Sequence, residues 1–213
     1  MPKLRKMRMV SIGHRSARFE DVTLPLTDDD DQPTNSVIWL RNGGGKTSLL
    51  SLFFAGVYPG RRDFLGKRAG EKVRTLENYV GTNDHSAVVC EWSLDDENSL
   101  FDNATRYLSG VFYQRGSGSS GDDESKVVPL FFAMKAIDDE SELTLDGLPL
   151  VTNDTGKPQR RSLSGFRLRM GELQDEYPQA EVFLSSHQNE FRDELESRGI
   201  DPQVFYYQIR MNE

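Results

Sequence analysis

Ser36-Val-Ile-Trp-Leu-Arg-Asn-Gly-Gly-Gly-Lys-Thr-Ser-Leu-Leu50 reads as a short apolar strand, a glycine turn, a Lys-Thr pair and the first turn of an apolar helix. Three successive glycines let the backbone curl until several N–H groups converge on one anion, a path that side chains would obstruct. Lys46 then offers a point charge for β- and γ-phosphates, and Thr47 a hydroxyl for Mg²⁺. A helix starting near Lys46 directs the positive end of its dipole at the same phosphates. The candidate nucleotide-binding residues are therefore Asn42, Gly43, Gly44, Gly45, Lys46, Thr47 and Ser48.

The usual phosphate-loop pattern is Gly-x-x-x-x-Gly-Lys-[Ser/Thr], and counting back from Gly45-Lys46-Thr47 puts Leu40 where its first glycine belongs. A leucine there narrows the turn conformations open to the loop. A glycine-rich hairpin turn is the plainer alternative. The apolar flanks Val37-Ile38-Trp39 and Leu49 to Phe54 supply the strand–loop–helix context that favours a phosphate site.

The chain has 213 residues, enough for one substantial core or two small ones. No apolar run approaches a membrane span. Met1 to Arg18 is basic without a following apolar core, so no signal peptide is read. One cysteine, Cys90, excludes an internal disulfide and suits a reducing cytoplasm. The formal charge of −8 is segregated. Lys3, Arg5, Lys6, Arg8, Arg15 and Arg18 precede the first acid, and Arg61, Arg62, Lys67, Arg68, Lys72 and Arg74 follow the glycine loop. Such patches either track a nucleic-acid backbone or form ordinary solvated faces.

Alternation predicts strands over Met7–Ile12 and Phe19–Leu26, a turn over Asp28–Asn35 and a strand over Val37–Leu40. The helix after the loop should run to about Ala55, with Gly56 and Pro59-Gly60 as stop signals. A short helix is expected over Glu71–Val80. Ser86–Leu94 and Ala104–Arg115 read as an antiparallel hairpin. Gly116–Ser125 is a low-complexity loop, and Val127–Ile137 a further strand. Leu143–Leu150 suggests a strand pair turning at Asp146-Gly147, and Asp154–Arg161 a polar loop. A helix opens after Ser162 with Phe166, Leu168, Met170 and Leu173, and ends before Tyr177-Pro178. Another spans Gln188–Arg198 and closes at Gly199, before an extended Val204–Ile209.

Several segments imitate other functional motifs. The carboxylates Asp95, Asp96, Asp138 and Asp139 end apolar runs, as a Mg²⁺-binding acid would. Those runs contain Glu91 and Lys135, whereas buried parallel strands are apolar on both faces, so the acids read as solvent-facing. Leu108-Ser-Gly110 and Leu163-Ser-Gly165 begin an ABC signature, and neither completes it. His14, His85 and His187 are too scattered for a metal set. Phe205-Tyr206-Tyr207 reads as strand burial more readily than as base stacking.

In its order of parts, and most specifically in Asn42-Gly43-Gly44-Gly45-Lys46-Thr47, the chain resembles SMC/MukB/RecF-type ATPases. The resemblance implies an α/β P-loop NTPase fold, the N-terminal lobe of an ABC-type ATPase head, with an antiparallel β subdomain over residues 1–213. It implies ATP and Mg²⁺ as cofactors and a Q-loop glutamine near the end of the lobe, best matched by Gln208. Lys46 and Gln208 would be the catalytic residues here, and Thr47 and Gln208 the metal-facing ones. His14, Arg15 and Ser16 are candidates for the adenine, and Arg61, Arg62, Arg68 and Arg74 for nucleotide or DNA.

Such heads are split. The implied partners are therefore a C-terminal half-head beyond a coiled-coil arm, a second ATPase head, DNA, and accessory subunits, without a membrane. On this expectation the chain is a piece of a longer cytoplasmic machine for chromosome maintenance, repair or defence against foreign DNA. Two other classes stay open: a nucleotide-gated scaffold without turnover, and a self-contained P-loop GTPase or kinase.

Overall fold

The computed structural model of the chain describes residues 1–14, 17–41, 46–57, 76–82, 84–94, 105–116, 127–137, 141–152 and 159–202. Its centre is a six-stranded sheet in the order β2-β1-β3-β4-β5-β8. The strands are β1 (Lys3–His14), β2 (Ala17–Pro25), β3 (Asp84–Leu94), β4 (Thr105–Arg115), β5 (Val127–Lys135) and the short β8 (Phe183–Ser185). A two-stranded ribbon, β6 (Val151–Thr152) with β7 (Gln159–Arg160), stands apart from it. The helices are α1 (Lys46–Val57), α2 (Leu163–Glu176) and α3 (Gln188–Ser197).

Every described strand pairing is antiparallel. This corrects the expected α/β P-loop NTPase fold, whose sheet is parallel. The reason lies in the connections: β3, β4 and β5 follow one another as a meander, and no helix crosses over between them among the described residues. Val37–Leu40 does not form the predicted strand. Both edges of β1 are already taken by β2 and β3, and Val37 and Trp39 stand 94% and 83% exposed outside the sheet.

Alternating side chains fill a core on each face of the sheet. On one, Met7, Met9, Val88, Cys90, Trp92, Tyr107 and Phe131 pack against Leu49, Leu52 and Val57 of α1 and Phe191 and Leu195 of α3. On the other, Val89, Leu108, Phe112, Leu130 and Phe132 pack against Phe166, Met170 and Leu173 of α2. Leu143, Leu145, Leu148 and Leu150 join that second core from turns and a 3-10 segment, not from the expected strand pair. Arg8 donates to the carbonyls of Leu145 and Asp146 at 2.8 and 2.7 Å, and Thr144 Oγ1 accepts from Gly147 N, so the residues expected at the hairpin turn are committed elsewhere. Of the predicted helix Glu71–Val80, the described part is one 3-10 turn, Leu76–Asn78, whose Leu76 is buried.

Candidate phosphate-binding site

Helix α1 begins at Lys46, directly after the glycine loop, with Thr47 and Ser48 in its first turn. The first N–H groups of any helix lack intrahelical partners and suit an anion. The helix is held from within: Leu49, Leu52 and Val57 are buried against β1 and β3, and Ser48 and Ser51 are buried beside them. Gly56 allows the close approach, since a Cβ there would meet Val88 Cγ1 at 3.2 Å. Asn42, Gly43, Gly44, Gly45 and Gln208 lie outside the described residues, as do Arg15, Ser16, Arg61, Arg62, Arg68 and Arg74.

Beside α1 lies an open apolar cavity of about 270 Å³, lined by Leu4, Met7, Leu24, Leu26, Ile38, Leu40, Leu49, Leu50 and Phe53. It gives Leu40 a role. The side chain that replaces the usual glycine joins the cavity wall and packs against the core of the α1 face. Ile38 and Leu40 line this space while Val37 and Trp39 are exposed, a period of two that marks an extended segment with two apolar sides. The cavity had no signal of its own in the sequence. That alternation was its only trace.

Most of the first basic patch is charge-compensated. Arg5 pairs with Glu91 at 3.0 Å and with Asp31, Lys6 with Asp31 at 3.2 Å, and Arg8 with Asp21 at 2.8 Å. Arg18 is bound by Asp84, Glu20 and the Ser11 hydroxyl. These arginines brace the sheet. His14 ends β1 at the surface.

The signature look-alikes resolve into structural elements. Leu108-Ser-Gly110 is buried mid-strand, with Ser109 Oγ accepting from Trp92 Nε1 at 2.9 Å. Leu163-Ser-Gly165 is the first turn of α2. Burial pushes the Cys90 thiol up to about 12, which leaves it inert. No group of three or more metal-binding side chains occurs among the described residues, and Asp95, Asp96, Asp138 and Asp139 lie outside them.

Compared with known proteins, the chain matches no family model and no curated relative. No helix among the described residues is long and apolar enough to cross a membrane.

Proposed function

We propose that the chain is the ATP-binding lobe of a cytoplasmic, SMC-like ATPase that acts on DNA, its hydrolytic site completed by a C-terminal half-head and a second head. The observation that supports this best is that α1 starts at Lys46, immediately after Asn42-Gly43-Gly44-Gly45, on a helix anchored by Leu49 and Leu52. In this reading the loop's backbone N–H groups hold the phosphates. Lys46 neutralises developing charge, Thr47 binds Mg²⁺, and Gln208 orients metal or water. The exposed Val37, Trp39 and Leu50, next to this loop, are the surface that the missing half-head covers.

The chain alone should bind Mg²⁺-ATP weakly and turn it over negligibly. Lys46→Ala removes a charge-assisted contact of roughly 1.5–3 kcal/mol, so affinity should fall about tenfold or more in a calorimetric titration. Robust hydrolysis by the isolated chain, abolished by Lys46→Ala, would contradict the split-site reading. Failure of the unaltered chain to bind any nucleotide would end it.

A further inference from the structure

The apolar cavity touches both ends of the glycine loop. Ile38 and Leu40 lie just before the loop and Leu49, Leu50 and Phe53 just after it, while Leu4, Met7, Leu24 and Leu26 form the wall on the β1–β2 side. Protein interiors are normally filled, with few voids larger than a water molecule. A space of about 270 Å³ leaves these walls short of partner atoms. The two flanks of the loop are therefore held on their outer sides and slack where they face each other.

A loop that gathers several N–H groups on one anion depends on where its two ends are fixed. We infer that this cavity is a control point for the phosphate loop, and that Leu24 is a positioning residue whose bulk sets the affinity for a triphosphate. The inference rests on the nucleotide-binding reading above. Leu24 sits on the edge strand opposite Met7, partly buried against the core, so its size alters the filling of the cavity without removing a central core side chain. More filling restricts the positions open to Ile38, Leu40 and Leu49 before ligand arrives. Binding then costs less ordering entropy and becomes tighter. Less filling does the reverse.

The test is a titration of Mg²⁺-ATP and, separately, Mg²⁺-tripolyphosphate into the unaltered chain and into Leu24→Phe, Leu24→Ala and Leu24→Met. Site-to-site couplings typically begin near fivefold. Leu24→Phe should therefore tighten both ligands by about fivefold and Leu24→Ala weaken both by about as much. Leu24→Met, close in volume, should restore the original affinity. Equal factors for ATP and tripolyphosphate locate the effect in the phosphate loop, and an effect on ATP alone overturns the inference.

Melting of the ligand-free proteins is followed in parallel. Variants that differ in melting temperature but bind with unchanged affinity show a merely structural role, which also overturns it. Should Leu24→Ala fail to fold, Leu24→Phe against Leu24→Met still decides the sign. Absence of binding to the unaltered chain overturns the nucleotide reading and this inference together, whereas binding that is indifferent to Leu24 overturns this inference alone.

Discussion

Glu91 looks misplaced in a buried strand until its partner is found 86 residues earlier in the chain. Arg5 Nε donates to Glu91 Oε1 at 3.0 Å, with the two side chains only 7% and 3% exposed. Such a pair adds little net stability over apolar replacements, because both charges lost their water. Breaking it is another matter. Arg5→Ala strands a buried carboxylate and should cost about 3–5 kcal/mol in urea denaturation, whereas Arg5→Met combined with Glu91→Leu should recover most of that loss. Gly110 gives a second residue-scale prediction. A Cβ there would lie 2.6 Å from the Val88 carbonyl oxygen and 2.9 Å from Phe132 Cζ. Gly110→Ala must push strand backbone apart, so it should destabilise by about 1–3 kcal/mol and lower the melting temperature clearly.

Elements whose signals are local were legible, and those that needed a distant partner were not. The strands β1, β2, β3, β4 and β5 all follow from alternation, and α2 from its apolar spacing and its serine cap. Ser162 Oγ accepts from Gly165 N at 3.0 Å, so Ser162→Ala should cost about 1 kcal/mol, measurable as a lower midpoint of thermal unfolding. Val37–Leu40 has the composition of a strand as well, but strand composition does not say whether an edge is free to receive it. Here the chain bends away first. Leu26 O accepts from Thr34 N, and Asp28 Oδ1 accepts from the amides of Asp30 and Gln32, closing a turn that sets the segment outside the sheet. Leu143–Leu150 misleads for a related reason, since Arg8 from β1 occupies carbonyls at its expected turn. Of the candidate site, the helix start at Lys46 was readable from the glycine loop. The cavity was not, because it arises where three segments far apart in sequence meet.

Over the whole molecule, three titrating groups predict how stability responds to acid. The Arg8 guanidinium, bonded to Asp21, holds that carboxyl below its usual range, and Lys135 does the same for Glu181. His85 is lowered chiefly by burial, opposed by Asp84 and reinforced by Arg160. In each case the folded state binds its proton less readily than the unfolded chain, so stability rises with pH across the affected window. The contribution is complete above the unfolded value and is lost as pH falls through the folded one. His85 therefore acts first, below its ordinary value of about 6.5, and the two carboxylates follow below about pH 4. Denaturation midpoints measured from pH 7.5 to pH 3 should decline in these two stages. Salt separates them physically: Asp21 and Glu181 are about half exposed, so their ion pairs are screened and the acid stage should shrink at 0.5 M salt. The His85 stage arises mainly from lost hydration and should persist. His85→Phe keeps an aromatic ring beside Phe112 and removes the titration, so it should abolish the decline between pH 7 and pH 5 while leaving the acid stage in place.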